Sequence, residues 1–139
     1  MFNVGIIGIG FLGGSLVKSL SKSEKVKKIV AYDKNLESLE KAYSDGVITE
    51  YTIEVNEKFS DCDVVFICTP VSFISEYVKT LKKYVKKDCI ITDTGSTKKT
   101  ILNDTKKIDV EFIGGHPMIG SERSGYMTSK DLLFENSYY

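Results

Sequence analysis

Short apolar runs alternating with amphipathic ones predict a doubly wound α/β domain, a parallel sheet covered by helices on both faces. Three observations carry this reading. The runs are apolar on consecutive residues, as in strands buried on both faces, and do not alternate with polar residues. The segments between them repeat apolar residues at the three- and four-residue spacing of a helix packed on one side. The chain has 139 residues, 42% hydrophobic and 27% charged, which suits one globular domain burying roughly two-thirds of its unfolded surface. There is no internal repeat or low-complexity tract, and the only prolines are Pro70 and Pro117, so no linker divides the chain.

The elements follow in order. Phe2 to Ile7 reads as a buried strand, and Leu12, Leu16 and Leu20 with Val17 mark the helix after it. Lys28 to Asp33 is a second strand. Asn35 to Ser44 is a polar-faced helix carrying Leu36, Leu39 and Tyr43, and a weaker extended piece covers Ile48 to Ile53. Asp63 to Thr69 holds the run VVFIC. After it, Ile74, Tyr77, Val78, Leu81 and Val85 form a helical stripe. Cys89 to Asp93 is a short buried strand, Lys98 to Lys106 a helix, and Glu111 to Ile113 a last strand. Right-handed crossovers then place all strand ends on one edge of the sheet.

Composition excludes several roles. Nineteen basic and nineteen acidic residues cancel, leaving no global field to recruit nucleic acid or an anionic membrane. Arg123 is the sole arginine, so bidentate recognition of a carboxylate or phosphate has one candidate within the chain. The paired lysines, such as Lys82-Lys83 and Lys106-Lys107, lie near expected helix ends and read as a solvated face. Cys62, Cys68 and Cys89 are odd in number and lack C-x-x-C spacing, which fits reduced core thiols in a cytoplasmic protein. No apolar stretch approaches the ~20 residues that span a bilayer. Met1 leads straight into a strand pattern without a charged leader, so a soluble, unprocessed protein is expected.

Doubly wound sheets bind ligands beyond the carboxyl ends of their strands. The first such end carries Gly8-Ile9-Gly10-Phe11-Leu12-Gly13 between strand and helix. There Gly8 lets the chain turn, Gly10 lets the backbone approach a pyrophosphate, and Gly13 lets helix and strand pack closely. The helix N-terminus offers N–H groups to the anion. Asp33 ends the next strand, where a carboxylate accepts hydrogen bonds from adenosine ribose hydroxyls and repels a 2'-phosphate, selecting NAD over NADP. The adjacent Lys34 works the other way, since a cation there tolerates a phosphate. A structural turn at the glycines, a helix cap at Asp33 and an FAD site are the alternatives.

Two further strand ends are polar or kinked. At Thr69-Pro70-Val71 the turn either passes under the adenine or nicotinamide ribose or is a plain connection. At Asp93-Thr94-Gly95-Ser96-Thr97-Lys98 a small turn presents two hydroxyls and a carboxylate, and Ser96 or Thr97 would also serve as a helix N-cap. The last strand runs into GGHPMIGSERSG, Gly114 to Gly125, which holds the only histidine and the only arginine. His116 is expected to be catalytic, because it stands at a strand end with glycines clearing space around it. Without clustered Cys or Asp partners it makes a poor metal ligand. Glu122 and Arg123 read equally as a solvated loop pair.

The segments GIGFLGGSL, CTPV, DTGSTK and GGHPMIGSERSG, in this order and spacing, resemble the nucleotide-binding half of prephenate dehydrogenases of tyrosine biosynthesis. The resemblance spans essentially the whole chain. It implies a Rossmann-type NAD-binding domain at residues 1–139 and oxidative decarboxylation of prephenate to 4-hydroxyphenylpyruvate, or of arogenate to tyrosine. The family histidine falls on His116 and its serine on Ser96, with Ser121 and Glu122 at the mouth of the substrate pocket. Asp93, Gly95 and Ser96 fall beside the cofactor. The resemblance also implies a helical dimerisation domain that this chain lacks, so a homodimer is expected of a longer enzyme, and negligible turnover of the chain alone. Two other readings stay open: a different Rossmann-type dehydrogenase or reductase, and a non-catalytic NAD-sensing module.

Overall fold

The strands form where β-branched and aromatic residues run consecutively, because such side chains pack on a pleated surface. The computed structural model describes residues 1–119, 123–135 and 137. Its strands are β1 (Phe2–Ile7), β2 (Val26–Tyr32), β3 (Glu50–Thr52), β4 (Val64–Ile67), β5 (Ile90–Asp93) and β6 (Glu111–Ile113). They make one sheet in the order β3-β2-β1-β4-β5-β6, and each neighbouring pair is parallel. The connecting helices are α1 (Phe11–Leu20), α2 (Leu36–Ser44), α3 (Val71–Lys82) and α4 (Lys99–Thr105). Among the described residues no helix is long and apolar enough to cross a membrane.

Strand alternation sorts the core into two layers. Val4, Ile6, Ile29 and Ala31 pack with Leu16, Val17, Leu39 and Ala42 on the α1 and α2 side. Ile7, Val30, Val65 and Ile67 pack with Ile74, Val78, Leu81 and Ile101 on the α3 and α4 side. The order reverses at β1 and β4, so the early crossovers run one way and the later ones the other. Register places Ile7 level with Tyr32 and with Ile67, and Ile67 level with Asp93. Gly8, Asp33, Cys68 and Thr94 therefore leave the sheet along one edge, at the reversal point where such folds hold ligands.

Several boundaries differ from the sequence reading. β2 starts earlier than Lys28 and ends before Asp33, and the weak extended piece shortens to Glu50–Thr52. Asn35 caps α2, its side chain accepting the Ser38 N–H at 3.2 Å. Neither Ser96 nor Thr97 caps α4: its N-cap is Lys98, without a side-chain capping bond. Both hydroxyls thus sit two or three residues before the first helical residue, in the loop.

Beyond the glycine-rich segment the chain folds back on α1, which periodicity did not disclose. Tyr126 is 2% exposed, and its hydroxyl donates to Asp45 Oδ2 at 2.7 Å. The Lys18 ammonium lies 4.7 Å from its ring centroid. The Lys130 N–H donates to Ser15 Oγ at 2.9 Å and the Ser19 hydroxyl to the Asp131 carbonyl at 2.6 Å. Gly14 makes this approach possible, because a Cβ there would lie 2.9 Å from Tyr126 and Ser129 side-chain atoms.

At the opposite edge Asp63 ties β1, β4 and the start of β5 together. One carboxylate oxygen accepts the Asn3 N–H at 2.7 Å and the other the Lys86 ammonium at 2.6 Å. The Lys86 bond, with the Asn3 N–H second, holds the Asp63 carboxyl below its ordinary range. A depressed folded-state value stabilises the fold above the unfolded value of about 3.9 and loses that contribution as pH falls through the folded one. Acid unfolding of Asp63→Asn should accordingly be less steep below about pH 4 than that of wild type. Superimposable acid limbs in far-ultraviolet circular dichroism would contradict this.

Candidate active site

The turn after β1 is built by contact. Gly8 has φ +90° and its N–H donates to the Tyr32 carbonyl at 2.8 Å. A Cβ on Gly13 would lie 1.9 Å from the Gly8 carbonyl oxygen, so α1 can start this close to β1 only with glycine there. At Gly10 a Cβ would meet nothing within 4 Å. That residue faces open space, and it is the N-cap of α1 without a side-chain capping bond. Backbone N–H groups at such a terminus are suited to an anion.

Asp33 is fixed against this turn. Its Oδ2 accepts the Ile9 N–H at 2.9 Å and its Oδ1 the Asn35 N–H at 2.8 Å. Each carboxylate oxygen keeps a second lone pair for an outside donor. Ile9 itself is buried in the core, and contributes its backbone. A cavity of about 250 Å³ opens beside Asp33, lined by Gly8, Gly10, Tyr32, Asp33, Lys34, Cys68, Thr69, Pro70, Phe73 and Tyr77. The Lys34 ammonium lies 5.5 Å from the Phe73 ring centroid, and the Tyr32 and Tyr77 hydroxyls are 3.1 Å apart.

A second cavity, about 510 Å³, shares Gly10, Cys68, Thr69 and Pro70 with the first. Phe11, Leu12, Val71, Thr94, Gly95, Ser96, His116, Pro117, Ile119, Arg123, Ser124 and Gly125 complete its wall. The turn after β4 thus separates two compartments of one cleft, and its Thr69 Oγ1 is buried with no hydrogen-bond partner among the described residues. A hydroxyl desolvated in this way is costly unless a ligand satisfies it. Burial pushes the Cys68 thiol up to about 12, so it stays protonated and is no nucleophile.

The structure brings His116 and Ser96 to the same cavity, both exposed on its wall. No hydrogen bond joins them among the described residues. Arg123 lines this cavity too, where the sequence left it as a loop cation. Asp93 lines neither cavity and is 0% exposed. Ser121 and Glu122 lie outside the described residues. Phe73, Tyr77 and Tyr32 were not anticipated as wall residues. Phe73 had a signal: it is the aromatic residue of α3 off the Ile74, Val78, Leu81 stripe, and it is half exposed.

Among the described residues no group of three His, Cys, Asp or Glu side chains is placed to hold a metal ion. A cavity of about 820 Å³ lies away from the strand ends, between α1 and the returning chain. Its charges are largely consumed internally, Lys22 pairing with Asp131 at 2.5 Å and Lys18 donating to the Ser129 carbonyl.

Comparison with known proteins identifies the family. Residues 16–139 match the family described as prephenate dehydrogenase, nucleotide-binding domain. The glycine turn precedes that span, but structural similarity covers it. A crystal structure of prephenate dehydrogenase from A. aeolicus, in complex with hydroxyphenyl propionate and NAD+, superposes with a TM-score of 0.91 at 41% identity. The match covers 99% of this chain and 49% of that one. Synechocystis arogenate dehydrogenase superposes with a TM-score of 0.89 at 25% identity, over 97% of this chain and 48% of that one. Among curated proteins, prephenate dehydrogenase of Lactococcus lactis is 34% identical over 139 residues, 96% of this chain and 39% of the relative. The chain thus spans less than half the length of each of these three relatives.

Proposed function

The chain belongs to the prephenate dehydrogenase nucleotide-binding family, and from that premise we propose that it supplies the NAD-binding and proton-accepting half of an enzyme that oxidatively decarboxylates prephenate. The observation that carries this is the divided cleft. An open glycine turn and a ribose-competent carboxylate line one compartment, His116 and Ser96 line the other, and the buried Thr69 hydroxyl, with no partner among the described residues, stands at the divide.

Gly10 and the start of α1 would hold the pyrophosphate, Asp33 the adenosine ribose, and Thr69 a polar group of the dinucleotide where it crosses between compartments. Bound NAD supplies the hydride acceptor. Prephenate carries a ring hydroxyl on the carbon that gives up hydride, and loss of its carboxylate as CO2 makes the ring aromatic. His116 accepts the hydrogen bond of that hydroxyl through an imidazole lone pair, and Ser96 orients the hydroxyl or the ring nitrogen. Arg123 is the guanidinium this chain offers to a substrate carboxylate. Further cations, and the contact of a homodimer, belong to the length that relatives have beyond this domain. We place the enzyme in the cytoplasm and in tyrosine biosynthesis, which the three free thiols and the family support. Arogenate is the second reading, favoured by the likeness to Synechocystis arogenate dehydrogenase, and relative kcat/KM on the two substrates decides it.

The cofactor assignment is testable on the chain itself. NAD+ at a hundred times its Kd should stabilise the fold by about 2.7 kcal/mol, and NADP+ at equal concentration by distinctly less, because Asp33 repels a 2'-phosphate. Asp33→Asn should narrow the difference. Equal thermal shifts for the two cofactors in wild type would refute the assignment.

A further inference from the structure

Resting on the reading just given, we infer that Asp93 is a positioning residue whose buried carboxylate locks the Ser96 loop to the His116 loop. Asp93 ends β5 and is 0% exposed. Its Oδ2 accepts the Gly95 N–H at 2.8 Å, and its Oδ1 accepts the Gly115 N–H at 3.1 Å. Gly95 directly precedes Ser96, and Gly115 directly precedes His116. One side chain therefore spans two connections that follow neighbouring strands, the second donor lying twenty-two residues after Asp93. The Lys98 ammonium also binds Oδ2 and balances the charge.

The chemistry requires a carboxylate. Both oxygens of an ionised Asp accept and neither donates, and here every neighbour named is a donor. An Asn of the same shape would turn its NH2 toward a backbone N–H or toward the ammonium, losing one tether at least. Such a buried acceptor acts on the reaction through geometry, because Asp93 lines neither compartment of the cleft. This replaces the direct cofactor contact expected from the sequence. A Cβ on Gly95 would lie 2.9 Å from Asp93 Oδ2, so the loop is wrapped as closely as glycine permits.

Two measurements test the tether. In prephenate oxidation by the complete enzyme, Asp93→Asn should lower kcat by about 100-fold, the cost of a misplacement near 1 Å, while the KM for NAD+ changes by less than about threefold. Unchanged kcat would overturn the proposal, as would parallel loss of kcat, NAD+ affinity and thermal stability, which marks a merely structural residue. Should the variant not fold, hydrogen exchange of the wild-type chain decides. The Gly95 and Gly115 amides should both be protected by at least about 100-fold and should open at a common rate. Unprotected exchange of either overturns the tether. Absence of NAD+ binding with both amides protected counts against the dehydrogenase reading and supports the tether.

Discussion

Replacing Gly13 by Ala is expected to lower the melting temperature by about 10 °C and to remove measurable NAD+ binding. Two effects oppose each other. Ala is favoured over Gly inside a helix by up to about 1 kcal/mol. Against that, the new Cβ would stand 1.9 Å from the Gly8 carbonyl oxygen, 3.0 Å from the Gly8 carbonyl carbon and 3.1 Å from Cys68 Cβ. A backbone oxygen cannot rotate out of the way, so α1 must move off β1. Overpacking of this kind costs roughly 3 kcal/mol or more, and it wins. The same displacement carries the α1 N-terminus away from the position where the anion would sit. Gly10→Ala is the matching control, since its Cβ meets nothing within 4 Å. That variant should keep the melting temperature and still bind NAD+ more weakly, because its methyl enters the space meant for the ligand. A Gly13→Ala protein with wild-type stability and affinity would show that helix and strand are not packed as described.

The parts of this molecule legible in the sequence are those set by local pattern. Consecutive apolar residues in Phe2–Ile7 and Glu111–Ile113 disclosed strands with the observed bounds. The stripe of Ile74, Val78 and Leu81 disclosed α3, all three being buried. The cleft was legible where place in the chain sets position: Gly8 and Gly10 between strand and helix, Asp33 after β2 and His116 after β6 all line it. Direction was not legible. The family resemblance sets Asp93 beside the cofactor, whereas its carboxylate turns inward to the Gly95 N–H, the Lys98 ammonium and the N–H of Gly115, twenty-two residues later. Tyr126 escaped for a similar reason. It has no periodic neighbours, and its burial depends on Gly14 and Asp45, residues distant in sequence that leave a slot and an acceptor. Phe73 lines the smaller compartment from α3, whose pattern announces only the face packed on the sheet, and Tyr77, a member of that stripe, reaches the same wall from its edge.

The account stands or falls on His116. In the proposed reaction it would accept the substrate's ring hydroxyl and supply a lone pair at the moment hydride leaves, help worth about 100-fold to 10,000-fold in rate, or roughly 3 to 5 kcal/mol. Asn in its place keeps polarity and size without that basicity. The side chain is exposed on the wall of the larger compartment and packs into neither core layer. Its removal should therefore leave the fold and the smaller compartment intact. The direct measurement is kcat for prephenate-dependent NADH formation by the complete enzyme, wild type against His116→Asn, with NAD+ affinity determined alongside. The account predicts a kcat lower by about two to four orders of magnitude at unchanged NAD+ affinity; a variant that keeps nearly full kcat would contradict it.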